Sequence, residues 1–115
     1  MDRVEPPYLG ELEQAVLWTA LRLEGDGYGA TILLELNRRI ERQVSPGALY
    51  ATLDRLQKKG MIESRLADPD PRRGGRRKRY VVVTERGRAG LARVRGEWMQ
   101  LWDGVEGKVL GHEEG

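Results

Sequence analysis

Cysteine and phenylalanine are both absent from the 115-residue chain, and histidine occurs once, at His112. Without cysteine there is no disulfide framework, no thiolate zinc site and no cysteine nucleophile, and folding needs no oxidising compartment. One histidine beside scattered carboxylates gives no spacing that converges on a metal ion. We therefore expect no metal site, no cofactor and no catalytic residue, and we expect the protein not to be an enzyme.

Long apolar runs are also missing. No stretch approaches the roughly 18 apolar residues of a membrane-spanning helix, and the first residues, MDRVEPPY, carry acids and prolines where a secretory signal needs an apolar core. These absences predict a cytoplasmic protein with no membrane partner. The 39% of hydrophobic residues and the 33% of charged residues are typical of a folded chain, and the length fits a single hydrophobic core.

Cationic residues are unevenly distributed, although the net charge is only +2. The segment RRGGRRKRY at 72–80 holds six of the 20 Lys and Arg residues and no acid. Outside it, 14 cationic side chains stand against 18 acidic ones. The pattern indicates one anion-binding surface on a mildly acidic body. Taken by itself, a run of this composition fits a solvated or disordered tract equally well.

Two helices are predicted in the first 40 residues. Apolar positions recur at helical spacing over 9–23 and again every four residues over 28–40. We expect Asp26 to cap the second of these helices, because an aspartate side chain can accept hydrogen bonds from free amides at a helix start.

A third helix has the clearest start in the sequence. Ser45 supplies a side-chain acceptor for the free amides, and Pro46 suits the first helical position. The helix is expected over 46–59, with Gly60 in the left-handed conformation that closes it. Its inward face is predicted to carry Leu49, Leu53 and Leu56, and its outward face Gly47, Ala51, Asp54 and Lys58.

Two strands, 61–66 and 79–83, are predicted after the third helix and enclose the basic segment. Helix, helix, short turn, helix and hairpin is the order of a winged helix-turn-helix, an α+β fold that is mostly α. We expect residues 1–84 to form this DNA-binding domain, and residues 85–115 to form a C-terminal dimerisation helix and tail.

The last helix is expected to start at Thr84 and to pair with a second copy of itself. From Leu91 onward its apolar residues are spaced 3, 4, 3, 4, which is a heptad-like seam. Five glycines fall in this region, and each costs about 1 kcal/mol relative to alanine in a helix interior, so packing must stabilise the helix. The residues predicted in the homodimer interface are Leu91, Val94, Trp98, Leu101 and Val105.

Contact with double-stranded DNA is predicted for the hairpin and for the third helix. Arginine suits the hairpin because its planar fork grips phosphate oxygens and also fits a narrow minor groove. The predicted DNA-binding residues are Ser45, Pro46, Gly47, Tyr50, Ala51, Thr52, Arg55, Arg72, Arg73, Arg76, Arg77 and Lys78.

Base readout by the third helix is predicted to depend on few side chains. Gly47 and Ala51 offer only shape and contact with a thymine methyl group, so hydrogen bonds to bases must come from Tyr50, Thr52 and Arg55. Without DNA contact, Tyr50 fits a half-buried core aromatic, and Arg55 fits an ion pair with an acid on the same helix or the first strand.

The three tryptophans are Trp18, in the first helix, and Trp98 and Trp102, four residues apart in the last. They fit the core of a dimer. They also fit a ligand site in which interface indoles stack on a flat aromatic effector and couple it to the spacing of two DNA-binding units. The sequence is compatible with either arrangement.

Four segments resemble the PadR family of bacterial transcriptional regulators, and more closely its short members with a single C-terminal helix. The resemblance covers roughly residues 9–105. The segments that carry it are LGELEQAVL at 9–17, the pair Tyr28-Gly29, SPGALYATLDRLQKKGMI at 45–62 and GGRRKRYVVVTERGRAGL at 74–91.

This resemblance implies a homodimeric winged-helix repressor, joined through the C-terminal helix with help from the first helix. It also implies binding to an inverted-repeat operator and release by a small, often aromatic, molecule. In the short members the dimer can form a flat hydrophobic cavity bounded by tryptophans, and Trp98 stands where such an indole falls. Ala51 departs from the family, in which proline or threonine commonly follows the Leu-Tyr pair, and this removes a base contact.

Two alternatives use the same winged fold. In one, the domain is an adaptor whose basic hairpin meets an acidic protein. In the other, the protein binds DNA constitutively, without a ligand, and its tryptophans only hold the dimer together.

Overall fold

The computed structural model of the chain describes residues 8–69, 71–73 and 78–111, with only the backbone of Arg73. None of the described helices is both long enough and apolar enough to cross a membrane. Within these residues the elements are α1 (Glu11–Arg22), α2 (Gly29–Arg39), α3 (Pro46–Lys58), β1 (Ile62–Leu66), β2 (Arg79–Val83), α4 (Glu85–Trp102) and α5 (Glu106–Leu110).

The order and pairing of these elements confirm the predicted winged helix-turn-helix. The fold is mostly helical, and its two strands pair antiparallel in a register that runs from Ile62 opposite Val83 to Leu66 opposite Arg79. A short 3-10 turn, Pro71–Arg73, lies between the strands.

One hydrophobic core joins α1, α2, α3, the strands and the first half of α4. Burying a leucine side chain contributes about 1.5–3 kcal/mol, so the helix faces that carry these residues must turn inward. The members of the core with the least exposure are Val16, Leu17, Ile32, Leu36, Leu49, Leu53, Leu56, Met61, Ile62, Val81 and Leu91.

The start and end of α3 follow the sequence signals. The Ser45 hydroxyl accepts a hydrogen bond from the Ala48 amide at 3.1 Å, and Pro46 occupies the first turn. Gly60 follows the helix with φ of +75°, the left-handed conformation that a glycine adopts without steric cost. These predictions are confirmed.

The predicted cap of α2 is wrong, because the helix starts two residues later than a cap at Asp26 requires. The Gly27 carbonyl accepts a hydrogen bond from the Val81 amide at 2.9 Å, and Tyr28 forms a β-bridge with Tyr80. The helix then starts from Tyr28, whose amide donates to the Thr31 hydroxyl at 3.0 Å. This pairing fastens the start of α2 to β2.

The last helix is shorter than predicted. It starts at the predicted cap, where the Thr84 hydroxyl accepts from the Gly87 amide, but it ends at Trp102. Gly104 then has φ of +87°, which turns the chain and interrupts the predicted seam before Val105. A second, short helix, α5, follows this turn.

The first half of α4 belongs to the core of the winged domain. Leu91 is only 2% exposed and packs in that core, so it departs from the dimer interface predicted for it. Val94 is partly buried against the same core. From Arg95 to Leu101 the helix is exposed, and the accessible residues of the predicted interface are Trp98, Leu101 and, after the helix, Val105.

Two glycines of α4 allow it to approach the rest of the domain closely. A Cβ atom on Gly87 would lie 2.4 Å from the carbonyl oxygen of Met61 and 2.8 Å from a methyl carbon of Val83. A Cβ on Gly90 would lie 3.1 Å from the end of the Met61 side chain and 3.2 Å from Leu9. Packing against backbone therefore favours glycine at Gly87, whereas at Gly90 a Cβ would require the ends of two side chains to shift.

We predict that Gly87→Ala destabilises the fold by about 1–3 kcal/mol, since the atom it would meet is backbone and cannot give way. Gly96→Ala is the matched control on the same helix, because a Cβ there meets nothing within 4 Å. The control should gain up to about 1 kcal/mol from helix propensity. Urea unfolding at one protein concentration measures both changes, and equal stabilisation of the two variants would contradict the close contact.

Candidate nucleic-acid interface

The surface of α3 that faces away from the core is exposed along its whole length. Its residues Gly47, Ala51, Asp54 and Lys58 are all exposed, as the helical spacing predicts. A Cβ on Gly47 would meet nothing within 4 Å, so no other described part of the chain covers the first turn. The start of the helix therefore presents a small and accessible surface.

Tyr50 combines the two roles that the sequence left open. Its ring lies directly over the start of α2, because a Cβ built on Gly29 would come within 2.2 Å of the Tyr50 hydroxyl oxygen. The residue nevertheless keeps 46% of its surface exposed. Gly29 thus provides the space in which the ring packs, and the remaining surface of Tyr50 adjoins the exposed face of α3.

Thr52 is not on the exposed face. It is 0% exposed, and its hydroxyl donates to the Ala48 carbonyl at 2.7 Å and accepts from Arg55 Nη2 at 3.0 Å. The prediction that Thr52 contacts bases therefore disagrees with the structure. The reason is the rotation of α3, which is set by its buried leucines and turns position 52 toward the core.

Arg55 is held by partners that the sequence did not indicate. Its Nε lies 3.5 Å from a carboxylate oxygen of Glu13, rather than pairing with Asp54 or Glu63. About half of the Arg55 side chain remains exposed. The guanidinium is therefore oriented from the side of α1 while part of it stays accessible.

Glu13 is a buried carboxylate that links α1 to the end of α3. It accepts hydrogen bonds from Lys59 Nζ and from the Gly10 amide, each at 2.7 Å. Burial by itself would raise the pKa of Glu13, but these hydrogen bonds and the charges of Lys59 and Arg55 outweigh it and lower the pKa. From sequence Glu13 looks like a surface charge, and only its place three residues after Gly10 hints at a capping role.

The base of the hairpin is fastened to α3 by Arg79, which the sequence did not single out as functional. Arg79 Nε donates to the Ser64 hydroxyl at 2.9 Å, and Nη2 donates to the Gln57 side-chain oxygen at 2.5 Å. Nη1 lies 3.6 Å from an Asp54 carboxylate oxygen. The side chain therefore connects β2, β1 and the exposed face of α3.

Cations and aromatic rings alternate on the other side of the hairpin. Lys78 Nζ lies 4.6 Å from the centre of the Tyr28 ring, and the rings of Tyr28 and Tyr80 meet edge to face at 5.6 Å. The Arg65 guanidinium carbon lies 5.4 Å from the centre of the Tyr80 ring. Such contacts contribute about 0.5–1 kcal/mol each at exposed sites.

The predicted contacts of the basic segment are only partly described. Arg72 is exposed in the 3-10 turn, and Arg73 belongs to the same turn. Arg76 and Arg77, with the Gly-Gly pair before them, lie outside the described residues.

Two of the three tryptophans share one open groove at the end of α4. The groove has a volume of about 530 Å³. The Trp102 indole N–H donates to a Glu106 carboxylate oxygen at 2.8 Å, which ties α4 to α5. Trp18, half-exposed on α1, does not line this groove. The lining residues are Arg95, Trp98, Met99, Leu101, Trp102 and Val105.

Comparison with known protein families decides the relationship of this chain. The model of the transcriptional regulator PadR-like family matches residues 17–93, which take in the helix-turn-helix, both strands and the start of α4. The chain belongs to the PadR-like family. An uncharacterized protein from Lysinibacillus sphaericus is 36% identical over 94 residues, which are 80% of this chain and 82% of that protein.

Solved PadR structures share the fold. A PadR family transcription regulator from Clostridium difficile R20291 matches 87% of this chain and 99% of its own, with a TM-score of 0.71 and 21% identity. A PadR-like transcriptional regulator from Bacillus cereus strain ATCC 14579 is 29% identical, with a TM-score of 0.63 and coverage of 90% and 92%. The protein is thus a PadR-family transcriptional regulator with a winged-helix fold, which implies regulation by DNA binding, and the solved structures that it resembles are those of transcription regulators.

We predict that Glu13 of this PadR protein makes stability depend on pH in the acid range. Because its pKa is lowered in the folded state, its ionised form stabilises the fold above the unfolded-state pKa, and this contribution is lost as the pH falls through the folded-state pKa. Glu13→Gln should lower the urea midpoint at neutral pH and flatten its decline below about pH 5.

Glu11→Gln is the control on the same helix as Glu13, because Glu11 forms an exposed ion pair with Arg42, and such pairs contribute little. It should keep the wild-type decline. An unchanged acid decline in Glu13→Gln would contradict the role given to the buried carboxylate.

Proposed function

We propose that the protein is a homodimeric repressor that binds an inverted-repeat operator and is released by a flat aromatic effector. The observation that carries this proposal is the position of the hairpin against α3. The contacts of Arg79 with Gln57 and Asp54 set the base of the hairpin beside the exposed face of α3. A helix in the major groove and a basic hairpin on the flanking DNA can then be engaged together.

In this proposal α3 lies in the major groove with its first turns closest to the bases. Gly47 and Ala51 allow close approach, and Tyr50 and Arg55 supply hydrogen-bonding groups at the edge of this surface. We leave Thr52 out of the contact set because it is buried. The residues proposed for α3 and its cap are Ser45, Pro46, Gly47, Tyr50, Ala51 and Arg55.

The wing, residues 67–79, is proposed to grip the flanking backbone or minor groove. Phosphate contacts position a protein on DNA and provide affinity without reading the sequence. The wing carries a dense cationic segment, and its backbone is held at the base by the hydrogen bond from the Ala67 amide to the Lys78 carbonyl, at 2.8 Å. The wing residues proposed to contact DNA are Arg72, Arg73, Arg76, Arg77 and Lys78.

A second copy of the chain is proposed to cover the exposed end of α4 and α5. Trp98 is 59% exposed, and a contiguous apolar surface of this kind commonly marks an interaction site. Two-fold pairing would place two α3 helices about one helical turn apart, which matches an inverted repeat. The exposed apolar residues of this surface are Trp98, Met99, Leu101, Val105, Val109 and Leu110.

The effector is proposed to bind in the groove between Trp98 and Trp102, where indoles offer flat surfaces for stacking. Arg95 is the one charged side chain among the described residues that line this groove. A cationic ligand would be repelled by Arg95, whereas an anionic one would be attracted. We therefore propose a planar aromatic molecule that is neutral or anionic.

Two groups of substitutions separate affinity from specificity. Arg76→Ala with Arg77→Ala should weaken binding to operator and random duplexes alike and lower the salt dependence, because fewer counterions are released. Two other variants, Tyr50→Phe and Arg55→Gln, should instead reduce the difference in binding free energy between the operator and the random duplex, by about 1–3 kcal/mol for a good contact. The phenylalanine keeps the packed ring. Fluorescence anisotropy at several salt concentrations measures both effects.

Arg22→Ala is the control, since Arg22 is an exposed cation at the end of α1. It should leave both duplexes bound as in the wild type. An unchanged salt slope in the double wing variant would contradict the wing contacts. Failure of the wild type to bind any duplex would favour the adaptor alternative.

We predict that planar aromatic anions quench the fluorescence of Trp98. A naphthyl carboxylate should quench more strongly than a naphthyl trimethylammonium compound, because of Arg95, and should release bound operator. Trp98→Leu should lose the response, whereas Trp18→Phe, outside the groove, should keep it. Titration of each protein with these compounds measures the quenching. Absence of quenching across a panel of planar compounds would favour the alternative in which the protein binds DNA constitutively, without a ligand.

A further inference from the structure

We infer that Arg79 is a positioning residue for DNA recognition. It does not contact DNA itself, but holds the wing at a fixed place beside α3, so that both reach the duplex without further ordering. This inference rests on the proposed function of α3 and the wing. It concerns the Arg79 cluster, which consists of Arg79, Ser64, Gln57 and Asp54.

Each nitrogen of the Arg79 guanidinium faces an oxygen of the protein. The two hydrogen bonds, to Ser64 and Gln57, measure 2.9 and 2.5 Å, and the third nitrogen lies 3.6 Å from Asp54. The Ser64 hydroxyl also donates to the same Gln57 oxygen at 2.8 Å. The planar fork of arginine can serve three partners in fixed directions, whereas a lysine ammonium cannot reproduce this geometry.

The cluster lies where the hairpin leaves the core. Val81 and Val83 are buried on β2, but Leu66, opposite Arg79 in the register, is exposed. A two-stranded hairpin is marginally stable by itself, so its outer half needs other contacts to stay in place. Arg79 supplies them on the side that faces α3.

The opposite side of the same strand is held independently. Side chains alternate along a strand, so Tyr80 points away from Arg79 and packs against Tyr28 at the start of α2. The base of the wing is thus fixed to α2 by an aromatic contact and to α3 by the Arg79 cluster. Loss of the cluster should free the wing relative to α3 without unfolding the hairpin.

The Arg79 cluster also offsets an unfavourable negative charge in the candidate site. Asp54 is an exposed acid on the face of α3 that we propose to meet DNA, where phosphates would repel it. Arg79 brings a positive charge near this carboxylate while keeping its own side chain only 32% exposed. Replacement of Arg79 by lysine keeps the charge and removes the fork, so it separates positioning from neutralisation.

A double-mutant cycle tests the inference. Arg79→Lys and Gln57→Ala should each weaken binding to a selected operator by about tenfold, as expected for loss of a charge-assisted hydrogen bond. The double variant should be no weaker than either single variant, because both act through one contact. On a random duplex, Arg79→Lys should lose less affinity than on the operator, because a freed wing still reaches phosphates and the charge is retained, while α3 makes no specific base contacts there.

Two results would overturn the inference. One is operator binding by Arg79→Lys with the affinity of the wild type, which would mean that only the positive charge at this position matters. The other is a double variant whose loss equals the product of the single losses, which would mean independent contacts with DNA. Ser64→Ala, which removes the two hydrogen bonds of the Ser64 hydroxyl but no charge, repeats the test if Arg79→Lys lowers the thermal unfolding midpoint.

Different variants test the proposed wing contacts and the positioning role of Arg79. If the Arg76→Ala, Arg77→Ala double variant binds operator as the wild type does, the wing contacts fail whatever Arg79 does. If that variant is weakened but Arg79→Lys is not, only the positioning role of Arg79 fails. Arg22→Lys, an equivalent change on α1, should leave operator binding unchanged.

Discussion

Burial of three leucines on one face of α3 sets the rotation of this helix, and the rest of the candidate interface depends on that rotation. Leu49, Leu53 and Leu56 have almost no exposed surface. A turn of the helix by one residue would move this face by about 100° and expose apolar surface. The same rotation puts Thr52 in the core and leaves Tyr50 half-exposed beside the smallest residues of the helix.

The position of α4 follows from contacts with the end of α3. The Thr84 hydroxyl donates to the Gly60 carbonyl at 2.7 Å, and Gly87 packs against the Met61 backbone. The groove that we propose for an effector lies farther along this same helix. A ligand that bound one arrangement of paired α4 helices better than another would therefore also bias the separation of the two α3 helices.

Local signals in the sequence predict much of this fold, because the interactions they report are local. Ser45 and Thr84 cap helices by bonds to amides three residues away, and the bounds of β2 follow from its apolar run. Asp26 and Leu91 differ from their predictions. Contacts between distant segments, which local signals do not report, decide where these two residues lie. The candidate site divides in the same way: exposed positions of α3 follow from helical spacing, whereas the partners of Arg79 and Glu13 become neighbours only in the folded chain.

Selection of DNA from a random-sequence duplex library by the purified full-length protein tests the central claim most directly. The account predicts enrichment of an inverted repeat whose half-site centres lie about 10 base pairs apart, with two chains bound per duplex. Enrichment of a single unrepeated motif, or no enrichment over the starting library, would contradict it.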